Sequence, residues 1–218
     1  MNLLAYMMRN SSAILTRLLE HIQIVGLAIG VAIAIGVPVG ILVNYVKSLK
    51  MPILGSVNVL QTIPSIALLG MLVPFLGIGA QPAIFMVVVY SLLPIVKNTA
   101  TGLENIDPET IEAAKGIGMT EFQILMKVKM PLALPVIMAG IRISSVTAVG
   151  TATIAAFIGG GGLGHIIYRG LRVININLVL SGAIPACLLA VVIDWLGGFV
   201  ERLVTPICFK ENSKQFNL

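Results

Sequence analysis

The sequence predicts an all-α integral membrane protein with about five transmembrane helices. Of its 218 residues, 57% are hydrophobic and only 11% are charged, whereas soluble domains carry about 25% charged residues. A membrane-spanning helix needs roughly 20 apolar residues. Four stretches without any Asp, Glu, Lys or Arg reach that length, and they are residues 22–46, 51–96, 143–164 and 173–193. Lipid is therefore the expected solvent of this chain.

The spans are placed at residues 23–45, 55–76, 83–101, 131–157 and 178–200. The longest charge-free stretch, 51–96, exceeds a single crossing. Its residues 77–82, Gly-Ile-Gly-Ala-Gln-Pro, are typical of a turn. We therefore interpret this stretch as two spans joined at the turn.

Residues 1–21 precede the first span and have spaced apolar positions between Arg9, Arg17 and Glu20. This pattern suits an amphipathic helix on the outer membrane surface, and a flexible segment is the alternative. No cleavable signal is expected, because the start of the chain lacks a basic region and a cleavage site. The predicted organisation is one membrane domain at 22–206, between this segment and a tail at 207–218.

The basic residues predict the orientation of the helices. Five spans put the two termini on opposite sides of the membrane. One side then carries nine basic residues, which are Lys47, Lys50, Lys97, Lys115, Lys127, Lys129, Arg202, Lys210 and Lys214. The other side carries Arg9, Arg17, Arg169 and Arg172. The positive-inside rule assigns the richer side to the cytoplasm, with the N-terminus outside and the C-terminus inside.

The segment at about 105–130 is too long and too charged for a simple turn between spans. Asp107 can cap a helix that starts with Pro108 at its first position, and Glu109 suits the helix dipole. Gly116 and Gly118 then end this helix. Thr120, followed three residues later by Gln, has the spacing of a capping box for a second helix. We predict a helix, a glycine turn and another helix on the cytoplasmic face.

The same segment resembles the coupling motif of ATP-binding-cassette (ABC) importer permeases. Glu112-Ala113-Ala114 is followed by three residues, Gly118, nine residues and then Val-Lys-Met-Pro at 128–131. Val and Met replace the Ile and Leu of the family pattern, while the spacing is complete. The resemblance implies that the short helix docks in a groove on an ATPase subunit, and that two alanines keep its docking face thin. The residues implied to couple are Glu112, Ala113, Ala114, Gly116, Gly118 and Pro131.

Several stretches are similar to the osmoprotectant uptake permeases for glycine betaine, carnitine and choline. They are 61–65 (Gln-Thr-Ile-Pro-Ser), 90–95 (Tyr-Ser-Leu-Leu-Pro-Ile), 115–120 (Lys-Gly-Ile-Gly-Met-Thr), 137–142 (Ile-Met-Ala-Gly-Ile-Arg) and 157–164 (Phe-Ile-Gly-Gly-Gly-Gly-Leu-Gly). The glycine run also occurs in methionine-type permeases of the same fold. The resemblance therefore implies a compatible solute as cargo, with an amino-acid permease as the nearest alternative.

Polar side chains within spans predict where a solute passes, because they are costly unless they face protein or a cavity. Some of these polar side chains lie next to Pro64, which interrupts the helical hydrogen bonds in the second span. Others form one side of the fourth span, where hydroxyls also bond back to their own helix. The candidates are Gln61, Thr62, Pro64, Ser65, Tyr90, Ser144, Thr147 and Thr151. Arg142 and Asp194 are a possible ion pair, or each reaches interfacial water.

Recognition of the cargo is expected to lie mainly outside this chain. A quaternary ammonium ion is usually held by a cage of aromatic side chains, and the four Tyr, seven Phe and one Trp are widely scattered. The resemblance implies a separate extracellular binding protein that docks on the outer loops. Gly161, Gly162, Arg169 and Arg172 are the candidate docking residues. A second permease copy, identical or homologous, and two ATPase subunits are the other implied partners.

No chemical reaction is expected of this chain, and no cofactor. It has no Gly-x4-Gly-Lys-Ser/Thr phosphate loop, so ATP and Mg²⁺ are assigned to the partner ATPase. Cys187 and Cys208 make neither a disulfide framework nor a metal site, and His21 and His165 are too few for zinc. The basic residues lack the clustering of a nucleic-acid surface. A secondary transporter, a structural membrane subunit and a membrane enzyme remain as less favoured alternatives.

Overall fold

The computed structural model of this chain describes residues 3–204. Within that part of the chain there are ten α-helices and no strand. The helices are α1 (Leu3–Arg9), α2 (Ser11–Tyr45), α3 (Lys47–Thr62), α4 (Ser65–Leu76), α5 (Ala80–Glu104), α6 (Pro108–Gly116), α7 (Glu121–Ile124), α8 (Met130–Thr153), α9 (Gly162–Arg172) and α10 (Ile176–Val204). A π-helical segment, Leu125–Lys129, joins α7 to α8, and a 3-10 segment, Ile154–Ile158, follows α8. The predicted tail at 207–218, with Cys208, lies outside the described residues.

The five predicted spans all correspond to apolar helical segments. Four are single helices long enough to cross a membrane: α2, α5, α10 and the continuous helix Glu121–Ile158 that contains α8. The second predicted span, 55–76, is instead a pair of helices, α3 and α4, which meet at an angle of 98°. Ile63, just before Pro64, has an extended backbone because the proline ring disfavours a helical conformation in the residue before it. The predicted start of this span at residue 55 is also too late, since α3 already begins at Lys47.

The core lies where α2, α5 and α8 pack together. Ala28 and Ala32 of α2, Met86 and Val87 of α5, and Ala152 of α8 are completely buried. Glycines bring these helices close: a Cβ placed on Gly40 of α2 would lie 2.5 Å from the Cβ of Thr99 in α5. In membranes, where lipid is as apolar as the side chains, such close packing of small residues is a main source of helix association.

The N-terminal segment is helical and is part of the bundle. α2 begins at Ser11, so the boundary expected near residue 21 is not a break in the helix. Tyr6, Ile14 and Leu18 pack on a small buried cluster that includes Leu163 and Leu178. The helical alternative for residues 1–21 is thus confirmed for the described part, but this segment covers α9 and α10 and does not simply lie on a surface.

α9 is a short amphipathic helix held between the end of α8 and the start of α10. Glycines permit this position, because a Cβ on Gly164 would come within 2.0 Å of the backbone oxygen of Thr153. Cβ atoms on Gly170 and Gly182 would likewise come within 3 Å of atoms in α10 and α9, respectively. The turn before α9 uses positive φ angles at Gly159, Gly161 and Gly162, which side chains with a Cβ adopt at a cost.

Replacing Gly164 with Ala is expected to lower the stability of the folded protein. The added methyl group meets a backbone oxygen that cannot move away alone, and overpacking of this kind costs about 1–3 kcal/mol. The measurement is the midpoint of thermal unfolding of the purified protein in detergent. Gly150→Ala in the neighbouring α8 is the matched control, because a Cβ there would meet no atom of another helix within 4 Å. Equal midpoints for the two variants contradict the packing described here.

Candidate functional site

α6 is a well-capped helix that protrudes from the bundle. The carboxylate of Asp107 accepts a hydrogen bond from the backbone N–H of Glu109 at 2.9 Å, and Pro108 occupies the first turn. Both features satisfy or remove amide groups that have no partner inside a helix. The helix runs to Gly116. The sequence-based prediction of this helix and its cap is confirmed.

Gly118 closes α6 with a Schellman turn. The N–H of Met119 donates to the carbonyl of Ala114 at 3.2 Å, and the N–H of Gly118 donates to the carbonyl of Lys115 at 2.9 Å. This pair of bonds requires a left-handed residue at the first position beyond the helix cap. Gly118 supplies it, with φ at +84°. Gly116, by contrast, is the last helical residue and has no positive φ.

The turn after α6 leads directly into the helix that contains α8. The Thr120 side chain accepts a hydrogen bond from the N–H of Gln123 at 3.3 Å, and the Gln123 side chain accepts one from the N–H of Thr120 at 2.9 Å. This confirms the predicted capping box. From there the helix continues without a break to Ile158, through the π-helical turn that precedes Pro131. Only four residues, 117–120, thus separate α6 from the start of a long transmembrane helix.

The two alanines of the motif lie in different environments. Ala114 is 6% exposed and packs inward, while Ala113 is exposed. The outward face of α6 combines Ala113 with Glu109 and with Ile117, whose side chain is 80% exposed. The thin outer face expected from the resemblance therefore comes from Ala113 alone, and Ala114 seats the helix on the rest of the protein. Glu112 is exposed and lies beside a cavity under the helix.

Gln61 and Tyr90 join the α3–α4 bend to α5 through two hydrogen bonds. Gln61 Nε2 donates to the backbone carbonyl of Tyr90 at 2.7 Å, and the Tyr90 hydroxyl donates to the carbonyl of Ile63. Each carbonyl lies at a proline. Pro94 has no N–H to offer the carbonyl four residues earlier, which is that of Tyr90, and the helix is interrupted between Ile63 and Pro64. The pair therefore satisfies the carbonyl that Pro94 leaves without its helical donor and the carbonyl at the break between α3 and α4.

The remaining pathway candidates lie in two separate places. Thr62 and Pro64 are exposed at the bend, and Ser65 is half-buried there. On α8, Thr147 is exposed and Thr151 is half-buried, and each hydroxyl donates to a carbonyl of its own helix. Ser144 is completely buried, and its hydroxyl donates to the carbonyl of Ser91 in α5 at 2.9 Å. Ser144 thus joins two core helices and does not face an open surface.

Arg142 forms a charged cluster with α10. Its guanidinium holds both oxygens of Asp194, at 2.7 and 2.8 Å, and approaches Glu201 at 3.5 Å. The expected Arg142–Asp194 pair is therefore present, and Glu201 is an additional member. The side chain lies over Gly197 and Gly198, where a Cβ would come within 3.1 to 3.2 Å of it. A cavity beside this cluster also borders Thr147, so Thr147 lies near the cluster.

The glycine-rich turn at 159–162 is held by the N-terminal part of α2. The carboxylate of Glu20 accepts hydrogen bonds from Arg17 at 2.7 Å and from the backbone N–H of Gly162 at 3.0 Å. His21 is fully buried against the same turn, and its Nε2 is 3.1 Å from the carbonyl of Val149. A carboxylate thus occupies the start of α9, where an anion would otherwise bind. Gly162 is buried and Gly161 is partly covered, so neither presents a free surface.

Arg169 and Arg172 are the docking candidates that remain accessible. Both are exposed on the last turn of α9, and the guanidinium of Arg172 lies 5.9 Å from the centre of the Tyr168 ring. Among residues 3–204, no group of three or more His, Cys, Asp or Glu side chains is arranged to hold a metal ion.

Comparison with known proteins identifies the family of this chain. Residues 10–206 match the family described as the binding-protein-dependent transport system inner membrane component. The chain belongs to this family. It is therefore a multi-pass membrane subunit of a transport system, and the predicted membership in the permease family is confirmed.

Relatives and solved structures agree with this assignment. The permease is 40% identical over 204 residues to the glycine betaine/carnitine/choline transport system permease protein OpuCB of Bacillus subtilis (strain 168), covering 94% of each chain. It is 44% identical over 211 residues to the osmoprotectant import permease protein OsmW of Salmonella typhimurium, covering 94% of this chain and 98% of that one. A chain from inward-facing structures of the MetNI methionine ABC transporter matches 88% of this permease with a TM-score of 0.82 and 27% identity, and 96% of that chain is covered. The predicted fold class is confirmed.

Three groups of contacts in the permease were not predicted from its sequence. Glu201 lies seven residues after Asp194, two helical turns along the same face, which is a readable signal. The carbonyl freed by Pro94 could also have been located, since it must belong to Tyr90. The contact of Glu20 and His21 with the turn at 159–162 has no local signal, because it joins residues more than 120 positions apart.

Replacing Gln61 with Leu is expected to destabilise the permease by about 1–3 kcal/mol, because the Tyr90 carbonyl then loses its donor away from water. Adding Pro94→Ala to this variant restores a backbone N–H for that carbonyl, so part of the stability is recovered. The measurement is thermal unfolding in detergent of the two single variants and the double variant. Thr62→Val, which removes an exposed hydroxyl that bonds only within α3, serves as the control. A double variant less stable than the sum of both single changes contradicts this account.

Proposed function

We propose that this permease is the membrane subunit of an ATP-driven importer for a compatible solute such as glycine betaine, choline or carnitine. The main support for this proposal is the structure around α6. The coupling motif coincides with a capped helix, a Schellman turn at Gly118 and a short connection to the helix that contains α8. The cargo is inferred from the relatives: one that is 40% identical is named for glycine betaine, carnitine and choline transport, and one that is 44% identical is named for osmoprotectant import, each over 94% of this chain.

The proposed assembly contains two permease chains, identical or homologous, and two ATPase subunits. The outward face of α6, with Glu109, Ala113 and Ile117, is the surface offered to the ATPase. A separate extracellular binding protein delivers the solute and meets the permease near Arg169 and Arg172, whose charges suit an acidic rim. The N-terminus is outside and the C-terminus is cytoplasmic, as the distribution of basic residues favours. This chain contributes no catalytic group and binds no cofactor, since ATP and Mg²⁺ belong to the ATPase.

The proposed transport step follows from how α6 is connected. Closure of the ATPase pair displaces α6, and the Thr120 capping box passes that displacement to α8. α8 contacts α5 in the core, where Ser144 bonds to Ser91, and α5 carries the bend between α3 and α4 through Tyr90. The exposed groups at that bend, Thr62 and Pro64 with Ser65, are the proposed lining of the pathway on one side. Alternating exposure of this lining to the two sides of the membrane is a rigid-body transition of a familiar type.

Selection of the cargo is assigned to the binding protein. The aromatic contacts of the described residues are a tilted Phe157–Tyr168 pair and a stacked Trp195–Phe199 pair. Neither pair lies at the α3–α4 bend, where Tyr90 is in place but uses its hydroxyl to bond Ile63, so no contacting pair of aromatic rings among the described residues holds a quaternary ammonium ion there. A permeable path with weak selectivity is consistent with a partner that selects the solute before delivery.

An amino-acid importer of the methionine type is the second candidate, favoured by the similarity to the methionine transporter structure. The discriminating experiment begins with gentle purification of the tagged chain from its native cell and identification of the proteins that accompany it. The copurified binding protein is then titrated with choline, glycine betaine, carnitine and methionine. Binding of a quaternary ammonium solute, and its ATP-dependent uptake into vesicles, is the expected result. Binding of methionine alone supports the second candidate, and uptake without any ATPase overturns the importer proposal.

Replacing Gly118 with Val is expected to abolish ATP-dependent transport while the chain still inserts into the membrane. The reason is backbone conformation, since there is open space around the Cβ position but φ is +84°, and a β-branched residue strongly disfavours that angle. Asn tolerates left-handed angles better, so Gly118→Asn is the matched control and retains part of the activity. Transport assays in reconstituted vesicles, with membrane insertion measured separately, test this. Wild-type transport by the Val variant contradicts the proposed role of the turn.

A further inference from the structure

A basic cavity lies under α6, at the end of the bundle where α2 and α5 end, here called the coupling end. Its volume is about 420 Å³. Four lysines from three separate segments line it: Lys47 and Lys50 at the start of α3, Lys115 at the end of α6, and Lys129 just before α8. Glu104 and Glu112 also line the cavity, which leaves an excess of positive charge. These residues are far apart in sequence, so only the fold brings their charges together.

The carboxylates leave two of the lysines available. Lys50 holds both oxygens of Glu104, at 2.7 and 2.8 Å, and Lys115 pairs with Glu121 at 3.1 Å. Lys47 forms no ion pair within the part of the chain that the structure describes. Lys129 lies 5.0 Å from the centre of the Tyr45 ring, a contact that orients an ammonium group without neutralising it. The charge of Lys47 also acts on Glu104, and Glu112 shares the lining, but the four lysines still outnumber the two carboxylates that line the cavity. The cavity thus offers the ammonium groups of Lys47 and Lys129 to an anion.

The surroundings of the cavity match a molecule with an anionic head and an apolar body. Leu103, Ile106 and Ile111 form part of its apolar lining. At the adjoining corner between α2 and α3, the side chains of Leu42, Val46 and Leu49 are 37–44% exposed. This corner is the end of a predicted membrane-spanning helix, so acyl chains can reach these side chains while a phosphate stays at the level of the lysines.

We propose that this cavity is a binding site for the phosphate headgroup of an anionic phospholipid. Basic pockets between helices at the membrane boundary bind such headgroups through the combined field of several lysines. A free phosphate has the same charge but gains nothing from the apolar corner, which is why lipid is the assigned source. The bound headgroup contacts α3, α6 and the entry to α8 at once. It therefore ties the position of the coupling helix to the membrane surface.

The test is native mass spectrometry of the full-length permease in detergent, titrated with phosphatidylglycerol or with phosphatidylcholine. The wild-type chain is expected to retain phosphatidylglycerol in preference to phosphatidylcholine. The Lys47→Gln/Lys129→Gln double variant is expected to bind phosphatidylglycerol at least tenfold more weakly, since each lysine near a lipid surface contributes about fivefold. The matched control is Lys97→Gln/Lys127→Gln, which removes the same charge from two exposed lysines that do not line the cavity and keeps wild-type retention.

Two outcomes overturn the proposal. Equal loss of phosphatidylglycerol in both double variants means that lipid responds only to net charge. Displacement of the lipid by inorganic phosphate or glycerol phosphate at equal concentration means that the site takes a soluble anion. Circular dichroism and gel filtration of each variant exclude misfolding as the cause of a loss. Lipid binding requires neither ATPase nor cargo, so failure here leaves the transport proposal intact, and failure of transport leaves this site intact.

Discussion

The structure depends on one constraint: in lipid, every backbone carbonyl must find a hydrogen-bond donor within the protein. Prolines inside the helices remove backbone N–H donors, and side chains from neighbouring helices donate hydrogen bonds in their place. For this reason Gln61 of α3 donates to the Tyr90 carbonyl of α5, and the Tyr90 hydroxyl donates to the Ile63 carbonyl at the end of α3. The same bonds fix the 98° bend between α3 and α4. A polar group that is costly in a membrane is thus placed where it stabilises an irregular backbone.

The coupling segment lies outside this apolar region and uses different interactions. Its helix ends are closed by local polar contacts, from Asp107 at one end to the Schellman turn at Gly118 and the capping box at Thr120. These bonds close both ends of α6 and leave a short turn between it and α7. In the proposed transport step, a displacement of α6 passes through this turn to α8. α5 and α8 are in close contact at Gly140, where a Cβ would meet Asn98 and Pro94, so the proposed displacement of α8 would act on α5.

Much of the fold could be predicted from the sequence, because the requirement for apolar helices in lipid is visible in short segments of the chain. Charge-free stretches locate the spans, and the caps of α6 and α7 follow from residues within three positions of one another. The sharp bend in the second span could not be predicted in the same way. Pro64 indicates an interruption of the helix, but a single proline does not determine whether the helix kinks slightly or turns sharply. The pathway candidates show the same limit. Ser144 and Thr147 are equally polar in the sequence, yet one is buried between helices and the other is exposed.

The sequence by itself determined the membrane fold class, the capped coupling helix, the glycine turn and the possible Arg142–Asp194 pair. Each of these rests on composition, on short-range spacing or on the scarcity of charge in an apolar segment. Only the tertiary structure decided that Glu20 and His21 hold the turn before α9, and that Lys47 and Lys129 share a cavity with the coupling helix. Those contacts join residues far apart in the chain. Their geometry depends on how whole helices pack, which local patterns do not specify.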